Sequence, residues 1–249
     1  VRLAGKLRAD KVRVVAGAGD LNTQTGKVRL INGKGDKPTI AVDIGSHHSI
    51  HSSSIWFLIN EDSVFKQDGQ IYGENELRVN SKGEVFLGGS LTSPHRVEVH
   101  SRKVTNFGEI NALVAELKAE EALENRGLIR GDERLTIRAT EQVLNQGTLT
   151  GGITRVDTNT LTNADTGMLI GTRLALNTDV LNNTGRGFGT DTQGGLILAR
   201  EQLDIGTRVL TNTQGGLIYS DGKLTLGRLL DSNHGAQGRA ERIFNEGST

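Results

Sequence analysis

Val104-Thr105-Asn106-Phe107-Gly108-Glu109-Ile110 is followed by Leu123-Glu124-Asn125-Arg126-Gly127-Leu128-Ile129 and then by Val143-Leu144-Asn145-Gln146-Gly147-Thr148-Leu149. Each copy places an apolar residue two positions before Asn, a Gly two positions after it, and an apolar residue beyond. Looser copies occur at Leu161-Thr162-Asn163, Leu181-Asn182-Asn183 and Leu210-Thr211-Asn212. The six Asn are separated by 19, 20, 18, 20 and 29 residues. A strand-like phrase returning about every twenty residues is the mark of a solenoid, whose units bury their apolar faces only by stacking.

The segments around the phrase support strands. Lys11-Val12-Arg13-Val14-Val15-Ala16 and Arg96-Val97-Glu98-Val99 alternate at period two. Ile55-Trp56-Phe57-Leu58-Ile59 is an apolar run of the kind a buried strand carries, and Gln67-Asp68-Gly69-Gln70-Ile71 is a weak copy of the phrase two periods before Asn106. Leu135-Thr136-Ile137, Arg173-Leu174-Ala175-Leu176, Leu196-Ile197-Leu198 and Lys223-Leu224-Thr225-Leu226 read as the second strands of successive coils. The long interval after Asn183 implies an insertion near Gly185-Arg186-Gly187-Phe188-Gly189-Thr190, since loops absorb length cheaply.

One stretch argues the other way. Residues 111–124 are rich in Ala, Leu, Glu and Lys, the strongest helix formers. They fill the slot that a strand occupies one period later, so the repeat predicts a strand near Val114-Ala115-Glu116-Leu117. The fold expected is therefore all-β: a right-handed parallel β-helix with about 20 residues per coil, three short strands and three corners. The Asn residues are expected at sharp corners in the left-handed conformation, each amide bonded to the Asn above and below, with the following Gly permitting the bend.

Composition bounds the function. The chain has 249 residues with 29 basic and 29 acidic side chains, a formal net charge of zero that gives no electrostatic case for nucleic acid or an anionic membrane. Cysteine is absent, so a disulfide framework is excluded and stability must come from stacking. No apolar run is long enough to cross a membrane as a helix. The first residues already read as part of a coil, so the chain is expected to begin within a longer fold.

With these motifs in place, the chain resembles the exoproteins of two-partner secretion in Gram-negative bacteria: filamentous haemagglutinin-type adhesins, large haemolysins and contact-dependent growth inhibition proteins. Residues 1–103 resemble the closing part of the family's secretion domain. The matches are Val12-Arg13-Val14-Val15-Ala16-Gly17, Ala41-Val42-Asp43, Ile55-Trp56-Phe57-Leu58-Ile59 and Gly69-Gln70-Ile71. Residues 104–249 resemble the haemagglutinin-type repeats that follow. The resemblance implies a secreted, surface-exposed rod that presents another region for adhesion or contact-dependent competition. It also implies an outer-membrane transporter as export partner and a receptor on a host or target cell, with no cofactor and no insertion of this segment into the membrane.

Candidate sites are few. His47, His48 and His51 are close enough in sequence to reach one metal ion, and the plainer reading is a polar corner loop. Parallel β-helices also host polysaccharide lyases and hydrolases, which need paired carboxylates. Asp132, Glu133 and Arg134, and Asp157, Asp165 and Asp179 in successive coils, are the sets to weigh, against a solvated rim. Asp20, Asp36 and Asp43 could bind calcium but lack the glycine-rich nonapeptide array that binds it in repeats. Arg186 and Phe188 mark the loop most suited to a partner. The sequence thus favours a non-enzymatic presenting rod, with a carbohydrate-active enzyme as the alternative.

Overall fold

The structure, a computed structural model, describes residues 1–22, 24–25, 27–31, 35–185 and 195–246. Among these residues there is no helix. Parallel strands stack into a β-solenoid of about nine turns with a repeat near twenty residues. At a strand spacing of about 4.8 Å this makes a rod roughly 43 Å long.

Each coil is a three-sided prism, and the register shows how the sequence builds it. On the first face, Ile50, Ile71, Leu91, Ile110, Ile129, Leu149, Leu169 and Ile197 stack in one inward column. The second face stacks Phe57, Val79, Val99, Leu117, Ile137, Val156, Leu176 and Ile205. On the third face Phe65, Val85, Val104, Leu123, Val143, Leu161, Leu181 and Leu210 do the same. Apolar residues at alternate positions thus merge into one core, as burial of period two requires. The interior is mostly aliphatic, with Phe57 and Phe65 packed edge to face at 5.0 Å in the early coils.

The stretch with helical composition is a strand over its whole length, Glu109–Asn125. Its Ala112, Ala115, Leu117, Ala119 and Leu123 are buried in the shared core. Parallel neighbours on both sides supply hydrogen bonds and apolar cover that a lone helix would forgo, so stacking overrides propensity.

The three corners differ. The first is a column of small residues: Ser93, Ala112, Gly131, Gly151, Gly171 and Ala199. At the second, Ser101, Ala119, Ala139, Thr158 and Thr178 stack, and the Ser101 and Thr158 hydroxyls donate to backbone carbonyls two residues on. The third carries the Asn phrase.

Two segments leave the prism. An antiparallel hairpin, Gly19–Leu21 with Val28–Leu30, projects from the first coil. Asn60 anchors its base by donating from Nδ2 to Ala18 O at 2.8 Å and Ile31 O at 3.2 Å. A second hairpin, Leu229–Leu230 with Ala236–Gln237, folds back along the rod. A Cβ at Gly206 would lie 2.6 Å from Leu230 N, so the glycine there permits the hairpin's close approach. The chain then returns as Arg242–Asn245, which adds a strand to the third face.

The register corrects one assignment. Leu196-Ile197-Leu198 is not a second strand: it pairs with Met168–Ile170 on the first face, and Gln202–Gly206 supplies the second. The register also places the added length of that coil between Thr184 and Leu196. Residues 186–194, including Arg186 and Phe188 of the expected partner loop, lie outside the described residues.

Candidate functional site

The repeated Asn forms the most regular polar feature of the rod. Asn106, Asn125, Asn145, Asn163 and Asn183 are fully buried at the end of each third-face strand. Each Nδ2 donates to the Oδ1 of the next Asn: 106 to 125, 125 to 145, 145 to 163 and 163 to 183 at 2.8 Å, and 183 to 212 at 2.7 Å. The second amide proton goes to backbone carbonyls, for example Asn145 to Met168 O at 3.2 Å. The ladder runs on to Asn245, which accepts from Asn212 at 2.6 Å. The separation of 33 from Asn212 to Asn245, swollen by the second hairpin, hid that rung from the sequence.

The conformation is not the expected one. Among the described residues, the non-glycine residues with positive φ are Asp165, Gln214 and His234, and none is a ladder Asn. The ladder residues are extended, and the bend does not need a left-handed residue there. The glycines act by close approach instead. A Cβ on Gly127 would overlap the Gly108 carbonyl oxygen, and one on Gly108 or Gly147 would overlap Gly89 O or Gly127 O in the same way. The corner chains touch backbone to backbone.

At its N-terminal end the ladder is interrupted. Gln67, Leu87 and Asn106 stack in one column, so an apolar side chain sits between two amides. Asn106 Oδ1 and Gln67 Oε1 are both left without a donor. Gln67 Nε2 turns to Gly69 O at 2.5 Å.

The three histidines do not converge. His48 Nδ1 accepts from the Gly5 amide at 2.7 Å, tying the corner to the first coil. His51 faces Glu74 at 3.3 Å and packs on Tyr72 at 4.8 Å. The Glu74 carboxyl also accepts from the Ser53 hydroxyl at 2.9 Å, and these two bonds, Ser53 first, hold it below the usual carboxylate range. Among the described residues no group of three metal-ligating side chains is assembled, and Asp20, Asp36 and Asp43 are not brought together.

The acidic sets are engaged by arginines or, for Asp165, by an amide. Asp132 accepts from Arg130, and Glu133 lies 3.8 Å from Arg134. Asp165 accepts from Gln146 at the third corner, away from the other two acids. Asp157 and Asp179 do share one open depression of about 380 Å³ at the second corner, with Thr140, Asn159, Asn177 and Arg228. Asp157 accepts from Arg155 at 2.6 Å and lies 3.6 Å from Arg138. Asp179 accepts from Arg208 at 2.9 Å and lies 3.3 Å from Arg228, and the Arg208 bond, the largest influence, holds its carboxyl below the ordinary value. His234, at the tip of the second hairpin with φ of 66°, reaches Arg155 through Nε2. A guanidinium only donates, so this contact requires Nε2 to be the acceptor. A carboxylate bonded to two arginines is a poor proton donor or nucleophile, and the arrangement pins the hairpin to the rod.

The lone Trp lies on the outer second face. Its Nε1 donates to Glu76 at 2.8 Å, and Arg13 and Arg78 sit over its ring at 4.5 and 5.7 Å. The chain of pairs continues along the rod: Arg78 bridges Glu76 and Glu98, and Arg96 bridges Glu98 and Glu116. Beside Trp56 a cavity of about 890 Å³ opens between the first coil and Gln24 and Thr25 of the first hairpin's turn. Net neutrality had hidden a further feature: residues 1–59 hold nine basic and four acidic side chains, and the remaining 190 hold 20 and 25.

Among characterised proteins, the chain is similar to the protein adenylyltransferase and cysteine protease IbpA of Histophilus somni (strain 2336). The two are 25% identical over 185 residues, covering 70% of this chain and 4% of that protein. The chain thus spans a small part of the relative it matches. No family model matches the chain, and no solved structure does.

Proposed function

We propose that this chain is a structural, presenting segment of a secreted, surface-exposed exoprotein of the two-partner type, which holds another region away from the cell for adhesion or contact-dependent competition. The observation that carries the reading is the Asn ladder. Its side-chain chemistry is consumed between coils, and it makes a rod that can be lengthened without altering any coil's neighbours. The weak similarity to a short part of a very long protein supports the same reading. An outer-membrane transporter is the export partner of this proposal. No catalytic role is assigned, because the carboxylates that could serve a glycosidase are each tied to arginine or an amide.

The test is removal of one coil in register within the full-length protein on its own cell. Deleting residues 126–145 joins Asn125 to Gln146 and restores the phrase. Surface display and the activity of the presented region should persist. Deleting 126–135 breaks the register and should abolish display. Loss of activity with normal display after the in-register deletion, or turnover of any polysaccharide by the purified chain, would overturn the proposal.

A further inference from the structure

We infer that the outer side of the first face is the surface through which two copies of this chain pair side by side, both rods pointing the same way. The inference starts from three successive coils. Met168 and Ile170, then Leu196 and Leu198, then Leu217 and Tyr219 stack in two outward columns. Leu217 and Tyr219 are exposed, and the other four are half-buried by their neighbours in the sheet. The second face differs, with an outward column that runs through Arg78, Glu98 and Glu116. Neither hairpin covers the apolar columns. The first hairpin projects from the first coil, and the second lies against Gly206 and the depression at the second corner.

A second copy is the occupant because the face is complementary to itself. A two-fold axis parallel to the rod sets each coil opposite the same coil of the other copy and exchanges the two columns. Leu196 of one copy then faces Leu198 of the other, Met168 faces Ile170, and Leu217 faces Tyr219. Further down, Thr148 faces Thr150, Glu109 faces Asn111, and Ser90 faces Thr92. Leu128 faces Arg130, whose methylene stem covers apolar surface. In these columns, from Gln70 and Tyr72 upward, Glu109 and Arg130 alone are charged, and they do not meet. Each is served within its own chain, Glu109 by Asn111 at 3.3 Å and Arg130 by Asp132. The flanking positions agree: exposed Phe107 lies opposite exposed Leu113, and Arg126 opposite Asp132. Asp68 opposite Glu74 is a like pair at the far end, where Lys66 and Ser53 engage the two acids.

Reversing one rod loses this match. An axis along the strands sets Leu217 on Gln70, Leu196 on Ser90 and Met168 on Glu109, apolar on polar in every case. The area also suits a pair. The coils from Gln70 to Leu217 span about 34 Å of rod, and four outward positions per coil span roughly 20 Å. Contact over that rectangle covers roughly 1,400 Å² in total, within the range of stable interfaces. The amide ladder holds the coils in register, and side-chain ladders keep a many-stranded sheet flat enough for such contact. A bilayer fits the patch less well. Its exposed rim of Asp165, Arg200, Glu201 and Asp221 is mixed in sign and gives an anionic surface no hold.

The experiment is sedimentation equilibrium of the purified chain at micromolar concentrations, where dimers are expected. The variant Met168→Thr, Ile170→Thr, Leu196→Thr, Leu198→Thr copies Thr148 and Thr150 of the coil below. It should keep the parent's circular dichroism and pair roughly tenfold or more weakly. The milder Leu196→Thr, Leu198→Thr variant should show an intermediate loss. A control, Val114→Thr, Leu144→Thr, Ile153→Thr, Val180→Thr, removes as many outward apolar groups from the other two faces and should pair as the parent does. The chain has no cysteine, so introduced thiols report orientation alone. A short bis-maleimide should join a mixture of the Thr148→Cys and Thr150→Cys variants, and should not join a mixture of Gln70→Cys and Leu217→Cys. A monomeric parent, equal weakening in the control, pairing that survives the fourfold variant, or crosslinking of the second mixture alone would overturn the inference. So would binding of the parent to phosphatidylglycerol vesicles that the fourfold variant loses. None of these readouts involves export or display, so failure here leaves the presenting-rod proposal standing.

Discussion

Asn145 offers a direct test of the ladder. Its Oδ1 accepts from Asn125 at 2.8 Å, and its Nδ2 donates to Asn163 Oδ1 at 2.8 Å and Met168 O at 3.2 Å. Asn145→Leu leaves Asn163 Oδ1 without its donor in a fully buried site, while Asn125 Nδ2 keeps Gly127 O and Thr148 O at 3.2 Å. One orphaned acceptor, partly offset by added apolar burial, gives a loss of about 1–2 kcal/mol. Asn145→Asp has nearly the same shape and should cost more, about 3–5 kcal/mol at neutral pH, because a buried charge then faces Asn163 Oδ1 and a carbonyl. Burial raises the carboxyl's pKa in the folded state above the unfolded value of about 3.9. The folded form then binds the extra proton, so the penalty is small below that value. It grows as pH rises and is complete above the folded pKa. Urea unfolding followed by circular dichroism at neutral and acid pH measures the difference. Amide exchange in the coils around Asn125 and Asn163 shows whether the loss is local, as nearest-neighbour stacking requires. An aspartate variant as stable as the parent at neutral pH, or less destabilised than the leucine variant, would refute the ladder's energetic role.

Four other outcomes follow from the same structure. Gly127→Ala should lose about 3 kcal/mol or more, since the new methyl overlaps Gly108 O and lies 2.8 Å from the Phe107 carbonyl carbon; Gly45→Ala meets only the His48 ring at 3.2 Å and should be mild, and thermal unfolding ranks the two. Leu87→Asn supplies the donor that Asn106 Oδ1 lacks and should stay within about 1 kcal/mol of the parent in urea unfolding, whereas Val85→Asn, buried without partners, should cost about 3 kcal/mol. Thr154→Val removes a buried hydroxyl with no partner from a column between Leu135 and Leu174, and a gain of about 1 kcal/mol in urea unfolding is expected. Asp179→Asn should speed amide exchange in residues 228–238; because Arg208 holds the carboxyl below its ordinary value, the docking contribution in the parent is present above the unfolded pKa and lost as pH falls through the lowered folded one.

Much of the candidate site was legible because its signals are periodic. The Asn at 106, 125, 145, 163, 183 and 212 form the expected amide ladder, and Gln67 falls in the same column two coils earlier. What could not be read was the backbone state of those Asn and the task of the glycines. Both depend on how near the next coil lies, and that distance is a property of the stack. The small-residue columns at the other two corners were present as Ser93, Ala112 and Gly131, and as Ser101, Ala119 and Ala139, at the same period. They carry no distinctive polar pattern to draw notice.

The sequence by itself determined the solenoid, its period, the all-β class and the strand at Glu109–Asn125, because a repeated apolar alternation has one way to bury every copy. Only the tertiary structure decided which charges meet. Arg155 reaches His234, 79 residues away on a hairpin that lies outside the repeat, and Asp179 joins Arg208 of the next coil and Arg228 at the base of that hairpin. It also set Lys6, Arg8, Lys11 and Arg13 on two faces around one corner, where zero net charge had suggested nothing. Local periodicity is written along the chain, whereas ion pairs and charged surfaces arise between segments that the fold alone brings together.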